Sequence, residues 1–129
     1  MKYLTERDIV LINKHVIETY TPKEPIGVFD NGSLNMTVNS VKQEVFGVEI
    51  YPSLTLKGAN LFKNIAMKHM FLNGNKRTAF VSLIIFLELN DKTLNVPERK
   101  AIKFTEKVVT DKLQEKDIEK WIKKYLVDI

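Results

Sequence analysis

The sequence predicts an all-α fold, a compact helical domain of about six helices with one small flap or hairpin. Three observations carry this expectation. Apolar residues recur at three- and four-residue intervals in one segment after another, the spacing of helices with a single buried stripe. Two such segments, Leu54 to Lys68 and Ala79 to Leu87, flank one polar loop. Only Pro22 to Ser33, with Pro22, Pro25, Gly27 and Gly32, has the turn chemistry of a hairpin.

Taken in order, Thr5 followed by Asp8 resembles a capping arrangement, and Ile9, Ile12, Val16, Ile17 and Tyr20 then share one helical face until Thr21-Pro22 ends it. His15 lies off that stripe and is expected on the surface. The Asp30-Asn31-Gly32 turn sits between Ile26 to Phe29 and Leu34, where a small hairpin and a surface loop are both open. Leu34, Val38, Val41 and Val45 mark a further helix, with Gly47 placed to close it in the left-handed conformation. Ser53 can cap the next, whose face holds Leu54, Leu61, Phe62, Ile65 and Ala66, with Gly58 alongside and His69 continuing the stripe at its end. Ala79 to Leu87 is apolar all round and predicts a buried helix ending near Asn90. Asn95 and Pro97 open another, with Ala101, Ile102, Thr105, Val108 and Val109 on its apolar side. The last shows Ile118, Trp121, Ile122 and Tyr125 at helical spacing. Trp121 reads as a core anchor on that face, and Lys116, Lys120, Lys123 and Lys124 read as solvent-facing.

A chain of 129 residues suits one domain spanning residues 1–129 and can bury a real core. No segment approaches the roughly 18 uninterrupted apolar residues of a membrane span, and the start carries no secretory apolar region, so the cytoplasm is the expected compartment. With no cysteine and only His15 and His69, disulfides, thiol chemistry and a conventional zinc site are not expected. The net charge of +4 is mild, and acids interleave with the lysines of the C-terminal third. That pattern describes solvated helix faces better than a nucleic-acid footprint. A small helical nucleic-acid-binding protein is nevertheless the competing non-enzymatic reading, and it requires binding that falls steeply with salt and is indifferent to His69.

The chemistry concentrates at His69-Met70-Phe71-Leu72-Asn73-Gly74-Asn75-Lys76-Arg77. Here an imidazole, amides, a glycine and two cations crowd between apolar runs. Gly74 relaxes the backbone, Asn75 is a fair N-cap, and the free N–H groups of the following turn make a ready anion site beside Lys76 and Arg77. Each piece has a plain structural reading, as a helix-end histidine, a turn and a solvated pair of cations. Together they point to chemistry on a phosphorylated ligand, with His69 as general base and Gly74, Asn75, Lys76 and Arg77 binding phosphate. Phe71 reads as the loop's anchor in the core.

His69 to Ala79 resembles the signature of the death-on-curing (Doc) toxins, a branch of the Fic superfamily, whose pattern is His-x-Phe-x-Asp-(Gly/Ala)-Asn-Lys-Arg. The resemblance extends from Leu4 to about Leu126 and includes Ile50-Tyr51-Pro52-Ser53-Leu54 and the Phe86 to Asn90 ending. It implies the Fic fold, and an ATP-dependent enzyme that works with Mg²⁺ as the toxin of a type II toxin–antitoxin pair. Its target would be a hydroxyl of a translation factor resembling elongation factor Tu. The resemblance also implies that Ile26, Gly27, Val28 and Phe29 form a flap that docks the target by main-chain pairing.

Within the superfamily, adenylyltransferases keep glycine where this chain has Lys76. The Doc branch has lysine there and transfers the terminal phosphate, so the resemblance favours a protein kinase, with protein adenylylation the alternative. The inhibitory (Ser/Thr)-x-x-x-Glu-(Gly/Asn) helix of self-restrained relatives is not evident: Ser40 and Glu44 have the spacing, but Val45 follows. Restraint is then expected from a separate antitoxin whose disordered tail folds into a groove as a helix. One position departs from the pattern. Asn73 stands where the family has an acid that helps place Mg²⁺, and a neutral amide is a poorer ligand for that hard cation. Weaker catalysis with phosphate-held metal, a scaffold that binds nucleotide or antitoxin only, and a substitution that tames a toxic protein are all compatible with it.

Overall fold

The computed structural model describes residues 1–129 and is built from six helices: α1 (Glu6–Tyr20), α2 (Asn31–Ser40), α3 (Leu54–Met67), α4 (Asn75–Leu89), α5 (Glu98–Thr110) and α6 (Glu115–Tyr125). Two small antiparallel pairs complete it, β1 (Glu44–Val45) with β2 (Val48–Glu49), and β3 (Lys92–Leu94) with β4 (Leu126–Asp128). No helix is long and apolar enough to cross a membrane.

Helices α3 and α4 form the centre, and α1, α2, α5 and α6 pack around them. Gly58 on α3 lets the pair approach closely, since a Cβ there would lie 2.9 Å from Leu83 Cδ1 of α4. Phe62, Ile65, Ala79, Leu83, Phe86 and Leu87 are essentially fully buried in this seam. Each large apolar side chain so buried contributes about 1.5–3 kcal/mol. The α4 stretch expected to be buried all round is buried on one face, while Phe80, Val81, Ile84 and Ile85 are half-buried against the outer helices. At the other end of the core Trp121 of α6 stacks on Phe104 of α5 with ring centroids 4.2 Å apart. It is the expected anchor, and the four lysines of α6 are exposed.

α1 begins with a full capping box between Thr5 and Asp8, as the sequence suggests, and His15 is exposed. The next segment differs from expectation. No hairpin forms over Ile26 to Leu34, because Asp30 instead caps α2: its carboxylate accepts the Ser33 N–H at 3.0 Å. Asn31 and Gly32 are therefore helical. α2 stops at Ser40 rather than running to Val45, and the hairpin lies further on, at β1–β2. Its tip, Phe46-Gly47, has φ of 51° and 76°, the left-handed pair that a tight two-residue hairpin turn demands. Gly47 does take a positive φ, but in a turn rather than after a helix.

Lys57 is 1% exposed in α3 and donates to Val41 O at 2.9 Å and to Glu49 Oε1 at 2.8 Å. It pins both the end of α2 and the hairpin to the central helix. Pro97 sits one position before α5 rather than in its first turn. The β3–β4 pair, invisible as a pattern because each strand is three residues long, ties the chain end to the turn after α4.

Candidate active site

α3 ends at Met67, and Lys68 closes it by donating its N–H to Asn64 O at 3.0 Å. His69 therefore does not continue the helical stripe. It lies beyond the helix at φ 45° and is exposed, between Lys68 and the buried pair Met70 and Phe71. A left-handed backbone costs a non-glycine residue about 1–2 kcal/mol. Buried Met70 and Phe71 hold the turn in place, and the imidazole is presented to solvent on a rigid base. Exposed Asp91 and Lys112 take the same conformation after their helices, so at His69 it fixes where the imidazole stands, and the neighbouring loop is what makes it a candidate.

The segment Ile26–Phe29 lies along the next residues as a short antiparallel neighbour. Phe29 N–H donates to Met70 O at 2.8 Å, Leu72 N–H donates to Gly27 O at 3.0 Å, and Val28 pairs with Phe71. In this register Gly27 and Phe29 face the loop, so strand alternation turns the main-chain groups of Val28 to the outer edge. Ile26 and Phe29 are exposed. Asp30, at the end of this segment, has its carboxyl held below the usual carboxylate range by hydrogen bonds from the Ser33 backbone and side chain.

The loop itself is fixed at three points. Asn73 Nδ2 donates to Pro25 O at 3.0 Å, so this amide joins the loop to the approach of the flap segment. The Asn73 carbonyl accepts from Asn13 Nδ2 of α1 at 2.9 Å. Asn75 reaches back to Phe71, taking its N–H at 3.0 Å and donating to its carbonyl at 2.9 Å. Asn75 is therefore not the cap of α4 that its residue type suggests. Gly74, at φ 73°, occupies the capping position and Asn75 is the first helical residue, because glycine alone adopts the left-handed conformation freely. The Asn75 side chain thus shapes the loop, and its backbone N–H belongs to the first turn of α4. With Lys76 and Arg77 it supplies the first-turn N–H groups that no helical carbonyl can satisfy.

The two cations are held differently. Lys76 is exposed and has no ion-pair partner, whereas Arg77 is stacked over Tyr20, 3.8 Å from the ring centroid, and pairs with Glu98 Oε1 at 3.1 Å. These residues border a groove of about 340 Å³ between α4, α5 and the end of α1. Its apolar floor is Phe80, Val81, Ala101 and Ile102, and it does not include His69 or Gly74.

Sequence reasoning passed over Asn13, Tyr20 as an arginine platform, and Glu98. Asn13 left a signal: it is the polar member of the buried face Ile9, Ile12, Val16 and Ile17. Glu98 and Tyr20 left none, since their pairing depends on how α1 and α5 meet α4.

The family model described as Fic/DOC family matches residues 3–87, which include α1 to α3, the loop and most of α4. A Mycolicibacterium smegmatis (strain ATCC 700084 / mc(2)155) protein described as Toxin Doc is 40% identical over 63 residues, which is 49% of this chain and 48% of that protein. The match spans about half the length of this relative. A left-handed exposed histidine, a glycine-capped helix start and adjacent cations lie within the matched residues, and the chain belongs to the Fic/DOC family.

Proposed function

We propose that this protein is the toxin of a toxin–antitoxin pair, an enzyme that transfers the terminal phosphoryl group of ATP to a hydroxyl on a translation factor similar to elongation factor Tu. The observation that carries the reading is the loop: an exposed imidazole at His69 is followed, five residues later, by a glycine-capped helix start with free N–H groups and an unpaired lysine. Phosphoryl transfer asks chiefly for positioning and charge neutralisation.

In this scheme His69 takes the proton of the acceptor hydroxyl as its oxygen bonds to the terminal phosphorus, and the bond to the bridging oxygen of ADP breaks. Lys76, Arg77 and the N–H groups of Gly74, Asn75 and the first turn stabilise the phosphate oxygens. For Arg77 this requires exchanging Glu98 for phosphate, an exchange between two anions at an exposed site. The outer edge of Ile26 to Phe29 offers main-chain groups to an extended target segment.

Magnesium does not fit a protein-held site here. Asn73 offers only the neutral Oδ1 of an amide whose Nδ2 is tied to Pro25 O, a weak ligand for a hard cation, and no group of three His, Cys, Asp or Glu side chains lies together there. Mg²⁺ enters the proposal only as the ion that ATP carries. The partner expected to restrain the enzyme is an antitoxin segment, and the groove beside Arg77, with an apolar floor and charged rim, has the character that receives an amphipathic helix.

The test is incubation with elongation factor Tu and ATP labelled at either the terminal or the first phosphate. Terminal label on the factor supports the kinase reading, first-phosphate label makes the protein an adenylyltransferase, and no label overturns both for this target.

A further inference from the structure

We propose that Asn13 is a positioning residue for the anion-binding loop, fixing the peptide between Asn73 and Gly74 so that the Gly74 N–H faces the phosphate side. The inference rests on the phosphate-binding reading of the loop. Asn13 is 1% exposed, and its Nδ2 donates both to Asn73 O at 2.9 Å and to Thr78 Oγ1 at 3.1 Å. An amide nitrogen has two hydrogens, so both bonds are made at once. The peptide is trans, and in a trans peptide the carbonyl and the following N–H point in opposite directions. Because Asn13 draws the Asn73 carbonyl towards α1, the Gly74 N–H is turned away from α1. It has no acceptor within the protein and adds a fourth donor to those of Asn75, Lys76 and Arg77.

This orientation needs a device. A peptide preceding glycine rotates with little steric penalty, and the opposite orientation would turn a carbonyl oxygen towards phosphate oxygens. α1 also lies directly beneath the loop: a Cβ on Gly74 would meet Ile17 Cδ1 at 2.8 Å, Val16 Cγ1 at 3.4 Å and Asn13 Nδ2 at 3.5 Å. The apolar face of α1 therefore supports the loop, and its single amide sets the direction of the loop's main chain. A purely structural role would require only that the buried amide be satisfied, which Thr78 could do in part.

The experiment follows the backbone amide of Gly74 by NMR in the full chain, with inorganic triphosphate as the probe. In the wild type that signal should shift on titration. Asn13→Leu, close in volume but without a donor, should weaken triphosphate binding on the order of tenfold and abolish the Gly74 response. Asn13→His, which restores an N–H donor, should recover part of both. Thr78→Val keeps the Asn13 to Asn73 bond, so it should lower Tm while leaving affinity within about twofold. Should Asn13→Leu fail to fold, Asn13→Ser, too short to reach the Asn73 carbonyl, should show the same loss. A folded Asn13→Leu or Asn13→Ser that binds like the wild type, or a Thr78→Val that loses as much affinity, would overturn the positioning role. A wild-type chain with no Gly74 response would instead overturn the phosphate reading itself, and this inference with it.

Discussion

Replacing Gly74 with alanine probes the loop where its backbone and its packing are both most constrained. The residue lies at φ 73°, and an added Cβ would lie 2.8 Å from Ile17 Cδ1, an atom of a side chain only 1% exposed. The left-handed conformation costs an alanine about 1–2 kcal/mol. Forcing a methyl against packed α1 adds about 1–3 kcal/mol, the lower end applying if the terminal methyl of Ile17 can turn aside. Gly74→Ala should therefore destabilise the fold by roughly 2–5 kcal/mol, seen as a fall in Tm of roughly 8–20 °C for a chain of this size. The two contributions separate in a double-mutant cycle. Ile17→Val alone should cost about 0.5–1.5 kcal/mol, but on the Gly74→Ala background it removes the clashing atom, giving a favourable coupling of about 1–2 kcal/mol. Urea denaturation of the four proteins measures all these quantities. A Gly74→Ala cost below about 0.5 kcal/mol, or strictly additive variants, would mean that α1 does not support the loop as described.

His69→Ala should lower transfer by on the order of 10²–10⁴-fold while leaving Tm nearly unchanged, since the exposed imidazole does little packing; circular dichroism melts beside the transfer assay check both. Because Lys76 occupies the position that is glycine in adenylyltransferases, label at the terminal phosphate should reach the target and label at the first phosphate should not. The α3–α6 junction should weaken in acid. Partial burial of Glu119 acts upward on its carboxyl, but hydrogen bonds from Thr55 and Ser53 and the charge of Lys123 outweigh it, and Lys63 does the same for Glu115. With folded values below unfolded ones, both contribute fully above the ordinary carboxylate range and lose that contribution as pH falls through the folded values. Carboxyl NMR titration should find both below 4.5, the ordinary value for glutamate, and a higher value for either would remove that residue from the acid-sensitive set.

The helices were legible because their stripes are regular: the faces of α1 as far as Ile17, of α3 as far as Ala66 and of α6, and the caps Thr5 and Ser53, stand where the spacing places them, whereas Tyr20 and His69, counted on those stripes, are exposed. The errors cluster where two local chemistries compete for the same residues. Asp30-Asn31-Gly32 is equally a turn and a helix start, and Ser33, one residue further on, decided it by donating to Asp30. Val41 and Val45 continue a helical period, yet the Phe46-Gly47 turn and the grip of Lys57 on Val41 O and Glu49 favour a hairpin there. Of the candidate site, the cluster His69 to Arg77 was legible from composition alone. What supports it was less so, because Asn13, Pro25, Tyr20 and Glu98 reach the loop through tertiary contacts 21 to 60 residues away in the chain.

Asn73 gathers these threads, since its two hydrogen-bonded groups connect the loop to α1 and to the approach of the flap. Changing it to aspartate leaves its main-chain bond with Asn13 available but removes the donor to Pro25 O and sets a carboxylate beside that carbonyl. Repulsion turns the new carboxylate away from Pro25, and the loop loses its side-chain tie to the segment that leads into Ile26 to Phe29, the proposed docking edge. Asn73→Asp should consequently have two effects of opposite kind. The freed carboxylate supplies the anionic ligand that the wild-type loop lacks, so Mg²⁺-dependent kcat should rise, a tenfold gain corresponding to about 1.4 kcal/mol off the barrier. The loosened flap should raise KM for the protein target while leaving KM for ATP little changed. Steady-state kinetics with both substrates varied, at several Mg²⁺ concentrations, separate the two effects. An unchanged or lower kcat in the aspartate form would show that the position does not act on the metal, and an unchanged target KM would show that the Asn73 to Pro25 bond does not organise docking.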